Sequence, residues 1–344
     1  MKQAVFALAR AAGGFKLARR ATRRSLRILC YHGLWATAGP KFGDRLFIEP
    51  EQFDARMKWL ACSGYPILRL GEAVRRLADG TLPDAAVAVT IDDGWASTYS
   101  HMLPSLERHA IPATVYVTTW YVEAALPVIN VAITYILQLS PQSAVEWQGV
   151  VYSLGNQRER EALSSRFAQA IDSLDERDRL AALIGLSAAA GIPPEPWLRS
   201  RQFHLMTPTE IADALTRGLD VQLHTHRHID IETGVDRLGD EIAENRHALQ
   251  VSTGQAAAHF DQFCYPSGTY SPQADAILSA AGVQSATLVD QGINAPDANP
   301  YRLRRFLDGR SATQLDFEAY LSGALEFADM LRGRTAGSAV QPSR

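Results

Sequence analysis

Cysteine is scarce in this chain: Cys30, Cys62 and Cys264 are the only three in 344 residues, far apart and with no CxxC pair. That excludes a disulfide framework and a thiolate zinc site, and it fits a reducing compartment. No apolar run is long enough to span a bilayer. Neither sign of charge dominates, since the formal net charge is −3, and 47% of residues are hydrophobic. Wholesale disorder is therefore excluded, and nothing in the overall charge indicates a nucleic-acid partner. Internal repeats and long low-complexity segments are also lacking. What remains is a soluble globular chain with enough length for one large domain or two smaller ones.

The N-terminal segment, residues 1–25, departs from that background. Lys2, Arg10, Lys16, Arg19, Arg20, Arg23 and Arg24 gather there, and the short apolar run of residues 4–9 stops at Arg10 without a convincing signal-cleavage pattern. Phe6, Leu8, Phe15 and Leu17 lie among the basic residues, so an amphipathic helix resting on anionic lipid is expected, with a solvated basic arm as the alternative. At the other end, residues 333–344 are rich in Gly, Ser and Arg and are expected to be disordered.

From residue 26 onward short apolar runs alternate with helical patterns, which predicts an α/β domain with a largely parallel sheet. Strands are expected over 26–31, 85–91, 114–118, 221–223 and 262–265, and helices over 51–63, 99–109 and 241–251. Residues 158–191 read as one or two helices, followed by a connector at Pro193-Pro194-Glu195-Pro196. Thr207-Pro208-Thr209-Glu210 combines an N-cap, a proline at the first helical position and a capping-box glutamate, so a helix is expected from there to about Arg217.

Two polar clusters follow predicted strand ends. His224-Thr225-His226-Arg227-His228 sets three of the nine histidines in five residues, and Asp92-Asp93-Gly94 ends the run at 85–91. Two imidazoles and one carboxylate leave a coordination position open on a metal, the donor set of a hydrolytic site. In an extended strand, positions 224 and 228 lie roughly 13 Å apart, too far for one ion. In a helical turn they sit roughly 6 Å apart on one face with His226 turned away, which favours His224 and His228 as ligands. If Asp93 binds the ion, Asp92 is left unligated as general base for the attacking water. Taken alone, the histidine run could be a polar turn and Asp-Asp-Gly an ordinary turn or helix cap.

Thr90-Ile91-Asp92-Asp93-Gly94 resembles the first motif of the polysaccharide deacetylases, also called the NodB-like fold or carbohydrate esterase family 4. His224-Thr225-His226-Arg227-His228 is similar to the second motif, and Phe263-Cys264-Tyr265-Pro266-Ser267-Gly268 to the third. Ile28-Leu29-Cys30-Tyr31-His32 looks like the first strand of one bacterial branch. The resemblance covers roughly residues 26–310 and implies a distorted (β/α) barrel of about seven strands; the domain is expected to span residues 26–332, with an insertion at about 122–201 that either caps the cleft and selects the sugar or is a structural embellishment. The resemblance also implies Asp92 as base, Asp93, His224 and His228 as ligands of a divalent metal, most often zinc, and a backbone N–H at Ser267 for the oxyanion.

Three departures from the family pattern matter. Ile91 stands where phenylalanine is usual, a packing change expected to be tolerated. Cys264 stands where many members have the arginine that orients the base, and Arg304 or Arg305 is a candidate replacement, with Arg305 taken as the catalytic one. No histidine follows His259, so the late histidine acid of the family is missing and His32 is the candidate substitute. Trp95 and Tyr270, close behind motifs, are candidates to stack on a sugar, with core packing as the commoner role of such aromatics, and Tyr265 is a candidate substrate contact.

The resulting expectation is a metal-dependent hydrolase removing N-acetyl groups from an N-acetylhexosamine-containing saccharide in envelope or exopolysaccharide synthesis. The expected setting is cytoplasmic, at the inner membrane face, with a lipid-linked or cytosolic precursor. An O-acetyl esterase, a deformylase and a catalytically weak saccharide-binding protein are the alternatives.

Overall fold

The computed structural model describes residues 2–332, so the expected tail at 333–344 lies outside the described residues. Seven parallel strands close into a barrel. They are β1 (Arg27–Tyr31), β2 (Val87–Ile91), β3 (Ala113–Val117), β4 (Asp220–Leu223), β5 (Gln262–Cys264), β6 (Ser285–Gln291) and β7 (Leu303–Leu307). They follow one another around the barrel in chain order, and β1 pairs with both β7 and β2 to complete the ring. β1, β2 and β3 are buried along their whole length, as expected for strands with side-chain layers on one face and helices on the other.

The register sets the level at which side chains leave the strands. Tyr31 pairs with Ile91, so His32 and Asp92 emerge side by side. Val117 pairs with Leu223, and Leu223 with Phe263, which brings Thr118, His224 and Cys264 to one rim. All of these lie at the C-terminal ends of the strands, the face where barrel loops converge.

Several helices follow from local sequence. The helix α3 (Pro50–Cys62) buries Phe53, Met57 and Leu60, which recur at helical spacing. α4 (Pro208–Thr216) starts with Thr207 and Glu210 capping each other reciprocally and proline in the first turn. The helix expected over 99–109 is divided into a widened, π-type turn at Thr98–Met102 and an α-helix at Leu103–Arg108. Pro104 explains the division, because it has no N–H to donate one turn back. The segment read as a connector at 193–196 instead opens a helix, Pro194–Arg199, since proline is compatible with a first turn. Between β3 and β4 the chain also forms the helices Trp120–Ala124, Ile129–Leu139, Gln157–Asp172 and Glu176–Ala189 and the hairpin Ala144–Trp147 with Val150–Ser153.

The N-terminal segment forms two helices, α1 (Lys2–Ala11) and α2 (Gly14–Ala21), separated at Gly13 with φ 77°. The expected single apolar face is corrected: Phe6 turns inward and meets Phe15 edge-on at 6.4 Å, whereas Leu8 and Leu17 face out. The pair packs on the last two helices, α6 (Gln314–Ser322) and α7 (Ala324–Leu331). Arg27, fully buried, holds the junction by donating to the Thr22, Ser25 and Leu321 carbonyls and to Thr22 Oγ1. No helix among the described residues is long and apolar enough to cross a membrane.

Candidate active site

At the C-terminal rim a cleft of about 450 Å³ is lined by His32, Asp92, Asp93, Trp95, His224, His228 and Ser267, among others. One wall comes from the segment between β3 and β4, through Tyr121, Val128, Asn130, Val131 and Asp172. The cleft thus gathers the polar clusters from four strand ends.

Asp93 Oδ1 lies 3.1 Å from His224 Nε2 and 3.5 Å from His228 Nε2. One ligand atom from each residue lies within 4.8 Å of the others. The other carboxylate oxygen of Asp93 accepts from Trp95 Nε1 at 2.8 Å. His224 Nδ1 donates to the Cys264 carbonyl at 2.8 Å, so in the neutral ring the Nε2 lone pair faces Asp93. Two lone pairs aimed at each other at that distance repel unless a cation lies between them, so the donor set fits a divalent metal. With a proton as that cation, burial opposes charge on His224, but Cys264 and Asp93 outweigh it and raise the pKa well above the usual histidine range.

The conformation that brings the histidines together is not the expected helical turn. The run after β4 is an irregular bend with left-handed φ at Thr225 (61°) and His228 (54°), and it places the two rings 5.0 Å apart. The outer histidines converge as expected, by a different backbone route. His226 points away: its Nδ1 meets Thr119 Oγ1 at 2.8 Å and its Nε2 approaches Glu244 at 3.7 Å.

Asp92 is separate from this triad and 1% exposed. Arg305, fully buried on β7, donates to both of its oxygens at 2.7 Å, the bidentate geometry that only guanidinium provides. Arg305 is itself fixed by the Leu288 carbonyl and Thr90 Oγ1. Burial pushes the Asp92 carboxyl up, but the Arg305 charge and hydrogen bonds outweigh it and hold the pKa at about 2. Cys264 contributes what its small size allows: its Sγ lies 3.5 Å from Asp92 and 3.2 Å from Arg305, leaving room for the guanidinium that enters from β7. His32 Nε2 stands 3.7 Å from Asp92 Oδ2, and its buried Nδ1 has no hydrogen-bond partner among the described residues.

Three expected substrate contacts are corrected. Trp95 borders the cleft but is 2% exposed, packs edge-on against Phe47 and donates to Asp93, so it presents too little surface for a sugar to stack on. Tyr265 is fully buried between Phe263 and Tyr270. Tyr270 lies outside the cleft lining, under the Arg302 guanidinium at 4.5 Å with its hydroxyl on Asp275. Ser267 does reach the cleft, in a left-handed turn with φ 54°. The next residue must be glycine, because a Cβ on Gly268 would stand 2.2 Å from Val289.

Asn245, on the helix α5 (Leu238–Thr253), belongs to none of the sequence motifs. Its Oδ1 accepts the His224 backbone N–H, while its Nδ2 donates to the Val117 carbonyl and Thr119 Oγ1, tying β3 to the histidine loop. An asparagine at helical spacing with Leu238, Ile242 and Leu249 is its one trace in the sequence, and the structure buries it fully.

Known proteins share the sequence family and the fold of this chain. A curated relative, YxkH of Bacillus subtilis (strain 168), whose name carries the polysaccharide deacetylase description, is 33% identical over 92 residues, 26% of this chain. That match spans only 31% of the relative's length. Among solved structures, the Streptococcus pyogenes deacetylase PplD in complex with acetate superposes with a TM-score of 0.58 at 17% identity, covering 87% of this chain and 99% of the other. IcaB from Ammonifex degensii gives 0.53 at 21% identity, covering 87% and 97%. These similarities establish the barrel fold. The sequence profile described as polysaccharide deacetylase matches residues 79–286, more than half of the chain, and takes in all three motifs while leaving out His32 and Arg305. The chain that folds into this barrel therefore belongs to the polysaccharide deacetylases.

Proposed function

We propose that this enzyme removes N-acetyl groups from an N-acetylhexosamine-containing oligo- or polysaccharide in envelope or exopolysaccharide synthesis, using a divalent metal held by Asp93, His224 and His228. The observation that carries this reading is the separation of two adjacent aspartates. Asp93 faces the imidazoles, and Asp92 faces Arg305 and His32. A divalent ion held by the triad, taken to be zinc, would supply Lewis-acid polarisation of the amide carbonyl and would lower the pKa of water toward neutrality.

Amide hydrolysis then requires an acceptor for the water's proton and a donor for the departing nitrogen. Asp92, ionised because Arg305 holds its pKa at about 2, accepts the proton through a lone pair that Arg305 leaves free. His32, at the cleft wall 3.7 Å away, gives a proton to the amine as the C–N bond breaks. The products are acetate and the free amino sugar. The Ser267 backbone N–H, from a turn that lines the cleft, is the proposed donor to the developing oxyanion. Arg305 is a positioning residue, since it acts on the substrate only through Asp92. Tyr121, Asn130 and Asp172, which line the cleft wall, are the proposed selectors of the saccharide.

The test is acetate release from N-acetylglucosamine oligomers by the full chain. Release that stops with a chelator, returns with zinc and is lost in Asp92→Asn supports the reading. Hydrolysis of O-acetyl esters alone, or saccharide binding with no metal-dependent turnover, overturns it.

A further inference from the structure

The N-terminal helices are built to pack on one side and to remain apolar and basic on the other. Residues 1–24 hold seven Lys or Arg and no acid, whereas the remaining 320 residues hold 27 basic against 37 acidic side chains. Inward contacts fix the pair to the barrel: Phe6 and Phe15 touch, Ala18 and Thr22 are buried, Arg10 pairs with Glu318 at 3.1 Å, and Arg19 lies 3.7 Å over the Tyr65 ring.

The outward face differs in kind. Val5, Leu8 and Leu17 are 58%, 71% and 61% exposed, and Ala4, Ala7, Ala11 and Ala12 extend the apolar surface of α1. Lys16, Arg20 and Arg24 are exposed beside Leu17, and none has a carboxylate within ion-pair distance among the described residues. Solvated surface helices normally carry charge where α1 carries alanine, valine and leucine. Apolar side chains flanked by unpaired cations match the interfacial region of an anionic bilayer, with acyl chains below and phosphates above.

We propose that α1 and α2 dock the enzyme on an anionic lipid surface, with Val5, Leu8 and Leu17 entering the headgroup boundary and Lys16, Arg20 and Arg24 meeting lipid phosphates. The docking face is rigid, because Arg27 and Thr22 fasten α2 to the barrel. It shares no residue with the cleft.

Co-sedimentation of the full chain with phosphatidylglycerol-containing vesicles, against pure phosphatidylcholine vesicles, tests this directly. Binding is expected only to the anionic vesicles. Combined Lys16→Ala, Arg20→Ala and Arg24→Ala should lower partitioning about 100-fold, as removal of three juxtamembrane cations implies. Leu8→Glu with Leu17→Glu should also release the protein, and neither set should alter acetate release from soluble oligomers. Circular dichroism melts matching the wild type identify loss of binding as a surface effect. The proposal is overturned by equal binding to both vesicle types, by undiminished anionic binding in the triple variant, or by absence of vesicle binding. If absent binding is accompanied by dissociation of a dimer in the Leu→Glu variant, the face is a contact between two copies.

Discussion

Asp92 and Arg305 form a bidentate pair, 1% and 0% exposed, in which each charge is tolerable only because of the other. Arg305→Met fills similar volume but leaves the Asp92 carboxylate buried without its cation, and breaking such a pair from one side costs about 3–5 kcal/mol. Asp92→Asn likewise leaves the buried guanidinium facing an amide without its counter-charge, a cost in the same range of about 3–5 kcal/mol. The double variant has no uncompensated charge, so its cost should fall below the sum of the singles by up to about 3 kcal/mol, the upper end for directly coupled sites. Urea unfolding of the four chelator-treated proteins, followed by tryptophan fluorescence, gives the cycle. Activity should be lost in every variant that carries Asp92→Asn, however stable it is. Arg305→Lys should recover only part of the turnover, because an ammonium cannot donate to both oxygens in the same plane. Additive costs, or an Arg305→Met cost below about 1 kcal/mol, would refute the argument that this pair is what keeps Asp92 ionised and oriented.

Three further outcomes are expected. Trp95→Phe keeps the packing against Phe47 but removes the donor to Asp93 Oδ2, and should weaken metal affinity about 10–100-fold by competition with a chelating dye; unchanged affinity would reduce Trp95 to core packing. His32→Ala should lower turnover about 10²–10⁴-fold, and near-normal turnover alongside an inactive Asp92→Asn would remove His32 as the acid. Burial, then Arg201, depresses the His204 pKa to about 4, so the unfolded chain takes up a proton below pH 6.5 that the folded chain refuses until about pH 4. Stability should therefore decline as pH falls through that window, and His204→Gln should decline less; parallel Tm curves would contradict this.

Local signals were legible in the sequence and long-range ones were not. Thr207 and Glu210 announce α4 because both halves of the capping box lie within one turn. β6 and β7 carry no clear strand pattern, because Thr287 and Arg305 place polar atoms inside the barrel and make Ser285–Gln291 and Leu303–Leu307 read as loop. Ile129–Leu139 is apolar on too many sides to show a helical period.

At the site, Asp92, Asp93, His224 and His228 were readable as spaced motifs, and Arg305 as a charge in need of a role. Tyr265 could have been assigned correctly: Cys264 points inward to Asp92, so alternation along β5 turns its neighbours outward. The backbone at Thr225 and His228 was not accessible, since left-handed φ at these non-glycine positions is imposed by contacts such as Asn245 to His224 and Glu241 to the Arg227 N–H. Those partners lie 21 and 14 residues away in sequence.

The central claim is that Asp93, His224 and His228 hold one ion beside an unligated Asp92. Anomalous scattering from crystals of the zinc-loaded protein, recorded on both sides of the metal edge, tests it most directly. The account predicts a single peak roughly 2.0–2.2 Å from one oxygen of Asp93 and from Nε2 of both histidines, with Asp92 still clamped by Arg305. A peak ligated by His226 or Asp92, or none at the triad, would contradict it.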